Sequence, residues 1–248
     1  ELLAKTPLLT PKVRGLTSPR ILRPIRDGWV IALDEQQAFK NQQLALLPAI
    51  VGTNADEGSQ ATASWPINTF QDYKQLLESS FPECPDLAKR CYPVATETDV
   101  KKQVAHLFAD TQFNYGARLF AKTLAGYQTP VWRYVFTRRY PEQTQNGPHH
   151  TQEVAYVFGN FDSPASEHEP APLINDTDRK LSNAIIDAWT SFAKHGNPNH
   201  QCLPNWQMFN SSADNYLDFG DTIQMANNWR RQQLDFLDSY FDDVAQKP

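Results

Sequence analysis

Leu44-Ala45-Leu46-Leu47-Pro48-Ala49-Ile50-Val51, running into Gly52-Thr53-Asn54-Ala55-Asp56-Glu57-Gly58, decides how the rest of this chain is read. A short apolar run closed by a glycine and a polar loop predicts a strand buried on both faces, as strands of parallel sheets are. Glu57 then lies on the loop leaving that strand. Open α/β sheets collect their sites outside the carboxyl ends of strands, so a carboxylate there has a chemical use.

A second run, Pro130 to Phe136, is β-branched and aromatic and predicts another buried strand. Helices are predicted over residues 68–80 and 99–125, the second carrying Val104, Leu107, Phe108, Leu119 and Phe120 as its apolar positions. The clearest helix is Asp176 to His195, where Leu181, Ile185, Ala188, Trp189 and Phe192 recur at spacings of three and four. Asn175 or Asp176 caps its start, Gly196 and Pro198 stop it, and its stripe should lie on the sheet. Tyr216 to Phe219 predicts a short edge strand, and Asn227 to Phe241 a terminal helix burying Trp229, Leu234, Phe236, Leu237 and Tyr240. Residues 1–20, rich in Pro, Thr, Ser and Arg without a period, read as a connecting segment or frayed end, with order beginning near Ile21. Strands separated by helices give an α/β architecture with a largely parallel sheet.

Composition narrows the classes. With 40% hydrophobic and 21% charged residues, the chain has the material for a sizeable core. A formal net charge of -5 gives no basic footprint, so no nucleic-acid partner is expected. No apolar run reaches the roughly 18 to 20 residues of a membrane helix, so no membrane span is expected. Cys84 and Cys91 could close a short loop as a disulfide, or both could be thiols, with Cys202 left over. An odd cysteine count points only weakly toward a secreted or periplasmic setting. Asn175-Asp176-Thr177 and Asn210-Ser211-Ser212 fit the glycosylation pattern and equally fit two ordinary surface loops.

The chemistry rests on Glu57 and on His150, inside His150-Thr151-Gln152-Glu153-Val154-Ala155-Tyr156-Val157-Phe158-Gly159. The polar, turn-prone segment 140–148 can deliver that imidazole from the second strand toward Glu57. An acyl-transfer triad needs a hydroxyl that attacks, an imidazole that takes its proton and a carboxylate that fixes the imidazole's tautomer. No Gly-x-Ser-x-Gly and no Gly-Gly run occurs in the 248 residues, so acid and base are present without nucleophile or oxyanion hole.

Further segments fall in a definite order: Pro24-Ile25-Arg26-Asp27-Gly28, Asp110-Thr111-Gln112-Phe113, Trp189 to Asn199, and Leu203-Pro204-Asn205-Trp206. Together they make the chain resemble the second half of a type-B carboxylesterase, the family of carboxylesterases, cholinesterases and fungal lipases, from about Ile21 to about Phe241. The resemblance implies the C-terminal part of an α/β-hydrolase fold, with a mostly parallel central sheet flanked by helices. Residues 21–248 would then be the later part of one catalytic domain. Glu57 corresponds to the triad acid; within Gly-x-x-His-x-x-Glu, beginning at Gly147, His150 is the base and Glu153 a supporting carboxylate. A small-molecule ester is the implied substrate, no cofactor or metal is needed, and the serine would come from the N-terminal portion of the same esterase, as a nicked or separate chain. Earlier strands absent from the chain would leave a hydrophobic edge for that partner to cover.

Plainer readings stand beside these. Asp-Glu-Gly is a common exposed turn, and Asp56 reads as a loop-stabilising side chain. His149 reads as exposed or a loop contact. His150 and Glu153 at i, i+3, or His195, His200 and Cys202, could be taken for metal ligands, but no third ligand at sensible spacing completes a catalytic zinc site. A non-catalytic adhesion or recognition module built on the same fold is the alternative function.

Overall fold

A computed structural model of the chain describes residues 26–33, 38, 41, 43, 45–162 and 172–245. The expected segment 1–20, the start of order near Ile21, and Pro24 and Ile25 of the Pro24 to Gly28 motif lie outside the described residues. The elements run β1 Ala49–Asn54, α1 Ser59–Thr62, α2 Phe70–Ser80, α3 Pro85–Cys91, α4 Thr98–Ala109, a π-turn Asp110–Asn114, α5 Tyr115–Gly126, β2 Val131–Phe136, α6 Gln152–Phe158, α7 Asp176–His195, β3 Asn215–Phe219, β4 Ile223–Asn227 and α8 Arg231–Ala245. The strands form one sheet in the order β1-β2-β3-β4; β1, β2 and β3 are parallel, and β4 turns back antiparallel on β3.

Strand β2 shows why the sheet is covered on both faces. Val131 joins Ala121, Leu124 and Phe209 under α5, whereas Trp132 and Phe136 join Leu181, Ile185, Trp206, Leu217 and Phe219 under α7. Trp189 and Phe192, on the predicted stripe of α7, meet Tyr134 and Trp132 with ring centroids 5.5 and 5.9 Å apart. Gly52 lies opposite Tyr134 in the β1–β2 register, and a Cβ there would overlap the Tyr134 ring. A third cluster gathers Leu76, Leu77, Phe81, Tyr92, Val104, Leu107, Leu234 and Leu237 between α2, α3, α4 and α8.

The first strand is displaced from its expected span of 44–51. Pro48 cannot donate to a ladder, and pairing with β2 carries the strand on through polar Thr53 and Asn54. Tyr216 to Phe219 is not an edge, because the unanticipated β4 lies outside it, joined through the short link 220–222. The terminal helix begins four residues late. Asn228 and Arg230 have φ of 64° and 49°, a left-handed turn that helix geometry excludes. Cys84 and Cys91 flank α3, one as N-cap and one as last residue, and are not bridged. At about 1.5 Å of rise per residue the helix holds them roughly 10 Å apart, beyond disulfide reach.

Charged side chains tie the layers together inside the protein. Asp214 is fully buried and accepts from Arg133 Nη1 at 2.8 Å and Arg118 Nε at 3.3 Å. Arg133 also lies over the Tyr216 ring, 5.9 Å from its centroid. Burial pulls the Arg133 guanidinium down to about 10, partly offset by Asp214. Removing the carboxylate would strand the buried Arg133 guanidinium, while Arg118 keeps Asp235 and Asp238, so Asp214→Ala is expected to cost about 3–5 kcal/mol. Urea unfolding at pH 7 checks this; a loss under 1 kcal/mol would mean that water reaches the pair.

Candidate active site

Thr53 and Asn54 end β1, and the chain then turns tightly through Asp56 and Glu57 into α1. Asp56 stabilises this turn by accepting from the backbone N–H of Ser59 at 3.0 Å. A Cβ on Gly58 would overlap the carbonyl of Ala105, so the turn presses on α4 in a way only glycine permits. Glu57 is thereby buried. Its Oε1 accepts from the Asn54 N–H at 2.7 Å, and its Oε2 lies 2.6 Å from His150 Nδ1. Burial pushes its carboxyl up and nearby Glu153 adds to that, while the bonds from Asn54 and His150 pull it back down.

His150 arrives on the loop after β2, stitched to the Glu57 loop by the Asp56 N–H donating to the Pro148 carbonyl at 3.1 Å. Thr151 follows with φ of 71°, a left-handed residue that ends the loop and opens α6. Gln152, buried at the start of α6, accepts from the His149 N–H at 3.1 Å and donates to the Arg138 carbonyl at 3.3 Å. Arg138 in turn grips Asp178 of α7 through Nε at 2.7 Å and Nη2 at 3.1 Å. These links hold the loop while the His150 side chain keeps 52% of its surface exposed.

The sequence singles out Glu57 and His150, and the fold brings their side chains into contact across 93 residues. Glu153 sits in the first turn of α6 and accepts from Asn54 Nδ2, which also donates to the His149 carbonyl at 2.7 Å. His149 contacts the loop through its backbone, and its Nδ1 lies 3.0 Å from the His150 carbonyl. The looser grouping of His195, His200 and Cys202 is structural at its centre. His200 Nε2 donates to the Ala184 carbonyl at 3.1 Å, and its Nδ1 accepts from the Cys202 N–H at 3.3 Å. Of the two glycosylation patterns, Asn175 spends its side chain capping α7 and accepting from Arg138 Nη2 at 3.2 Å.

Three residues at the site have no role assigned from the sequence, although two of them, Asn54 and Phe113, lie inside its motifs. Asn54 joins three groups: its N–H holds Glu57, and its side chain holds Glu153 and the His149 carbonyl. Phe113 lies against the His150 ring, centroids 4.7 Å apart. His106, on α4 one residue from the carbonyl that meets Gly58, is lowered to about 4 by burial and by the charges of Arg230 and Lys102, with Asp56 opposing. Chemically, an imidazole held at Nδ1 by a buried carboxylate is fixed in one tautomer, with Nε2 left to accept a proton.

With that geometry in view, the class is plain. Residues 10–237 match the carboxylesterase family, and the chain belongs to it. It is 35% identical over 216 residues to fumonisin B1 esterase of Sphingopyxis macrogoltabida, covering 86% of this chain and 39% of that esterase. A solved structure of PNB esterase superposes with a TM-score of 0.68 at 26% identity, covering 87% of this chain and 44% of the other. Neuroligin-2 of Homo sapiens is 26% identical over 255 residues, covering 86% of this chain and 30% of neuroligin-2. The fold is of the α/β-hydrolase kind, and the chain spans less than half the length of these relatives.

Two outcomes follow. Asn54→Ala leaves Glu153 and the His149 carbonyl without their donor, and is expected to destabilise by about 1–3 kcal/mol in urea unfolding. His106 has a folded-state value below its unfolded one, so the unfolded chain takes up the proton first as pH falls. Its contribution is complete above about pH 6.5 and is lost progressively toward pH 4. The stability difference between parent and His106→Gln, measured at pH 7.5 and 4.5, should shrink at the lower pH; a constant difference would remove His106 from the acid response.

Proposed function

We propose that this chain supplies the acid and base of an acyl-enzyme ester hydrolase, and that the N-terminal portion of the same esterase supplies the serine and the oxyanion hole. The observation that carries the reading is the 2.6 Å contact between buried Glu57 Oε2 and half-exposed His150 Nδ1. In the proposed cycle the serine hydroxyl attacks the ester carbonyl carbon while His150 Nε2 takes its proton. The tetrahedral intermediate collapses, the ester C–O bond breaks, and Nε2 returns the proton to the departing alcohol. Water then repeats the sequence on the acyl-serine, with Nε2 as base and then acid, releasing the carboxylic acid. Throughout, Glu57 holds the ring and stabilises the imidazolium as it forms; it need not become protonated. No cofactor or metal enters this chemistry.

The partner is supported by surfaces as well as chemistry. Among the described residues β1 pairs with β2 alone, so its other edge offers ladder hydrogen bonds to a further strand. On α6, directly after His150, Val154 and Phe158 are exposed one turn apart. The relatives, each more than twice the length of this chain's match, have room for such a portion.

One observation favours a second reading, a non-catalytic adhesion or recognition module: neuroligin-2, not named as an esterase, is among the relatives. The deciding experiment is turnover of a p-nitrophenyl ester. The isolated chain should be inert, and the chain assembled with its N-terminal portion active. In that assembly Glu57→Gln should lower kcat by about 10⁴ and His150→Ala by at least as much. An inert assembly supports the module; turnover by the isolated chain, lost on His150→Ala, would overturn the two-part reading.

A further inference from the structure

Helix α4 does not pass smoothly into α5. The π-turn Asp110–Asn114 between them widens one turn of the helix, a local distortion that recurs at functional sites. From it three side chains leave for three different elements. Asp110 takes both Nε and Nη2 of Arg230, ahead of α8. Asn114 Oδ1 accepts from Thr53 Oγ1 at 2.7 Å, next to Asn54 at the end of β1. Phe113 reaches the His150 ring, with centroids 4.7 Å apart and planes 40° apart.

That contact meets a mechanical need. A ring fastened by one hydrogen bond at Nδ1 can still swing about the bond axis, and half of the His150 side chain faces solvent. Phe113 closes one face of the ring. It cannot easily retreat, because Phe108 stands behind it at 6.1 Å and Trp65 meets Phe108 edge-on at 5.6 Å. The row Trp65, Phe108, Phe113, His150 therefore runs from the helical cluster to the imidazole. Asp110 and Asn114 pin the turn that carries Phe113 from both sides.

We propose that Phe113 is a positioning residue for the hydrolysis: the π-turn presents its ring as a fixed wall that keeps His150 in the orientation bonded to Glu57, with Nε2 aimed where the serine hydroxyl arrives. The inference rests on His150 being the base. It assigns Phe113 no contact with the reacting atoms, so its loss should act on kcat and not on substrate binding.

The test uses the assembled esterase and a p-nitrophenyl ester. Phe113→Leu keeps an apolar side chain but loses the flat face, and should lower kcat on the order of tenfold to a hundredfold, as misplacement by about 1 Å does, while KM stays within about twofold. Phe113→Tyr keeps the face and should retain kcat within about threefold of the parent. The low-field proton resonance of His150 Nδ1–H should be sharp in the parent and in Phe113→Tyr, and broadened in Phe113→Leu; Phe113→Met replaces Leu if that variant does not fold. Parent-like kcat in Phe113→Leu, equal losses in Leu and Tyr, or a change confined to KM would each overturn the proposal. His150→Ala separates the two levels: if it stays active, the reading of the base fails, whereas an inactive His150→Ala beside a normal Phe113→Leu sinks the wall alone.

Discussion

A carboxylate taken out of water must find donors close by, and Glu57 is the residue on which this requirement bears hardest. Its two oxygens are satisfied from opposite directions, by a backbone N–H three residues upstream and by an imidazole 93 residues downstream. The first partner makes the chain turn back immediately after β1. The second brings a long loop to the mouth of that turn. Gly58 supplies the remaining constraint, since only a residue without Cβ lets the turn rest on the Ala105 carbonyl. Strand end, turn, helix and loop are thus fixed to one another by the burial of one side chain. Burial raises its carboxyl, and the bonds that hold it offset that rise only in part.

Much of this was legible, and the limits have physical causes. The strand Val131–Phe136 and helix Asp176–His195 were read almost to the residue, because a strand covered on both faces and a capped amphipathic helix each leave a strong local pattern. Strand β4 was missed: Ile223-Gln224-Met225-Ala226-Asn227 has little β propensity and is a strand because β3 offers it a ladder. The helix predicted over 99–125 has the right extent but hides the π-turn, whose five residues keep a helical composition. Glu57 and His150 were visible through their flanking motifs. Asn54 and Phe113 stand inside such motifs without a legible role, because an asparagine before a loop reads as a turn residue and a helical phenylalanine as core. Only the fold shows what lies against them.

A second layer of buried polar groups explains how parts distant in sequence keep register. Asp110 joins Arg230, Tyr92 and Asn114; Asn114 joins Thr53; Asp178 joins Arg138 and Tyr156, whose helix follows His150. Such networks are costly when half satisfied and specific when complete. Here one sits behind Glu57, through Asn114 and Thr53, and the other behind His150, through Arg138 and Gln152. The sheet places the loops; these side chains orient them.

The geometry also bears on why an acid and a base would be kept together. A clamp that only ties two loops is strongest when both partners are removed from water, where their attraction is least screened. This pair is built otherwise: the carboxylate is buried, while the imidazole keeps half its surface open and is engaged through one nitrogen. Exposure weakens the tie and frees Nε2. That asymmetry adds little to tying the two loops together, and it leaves Nε2 open for the proton transfer proposed above.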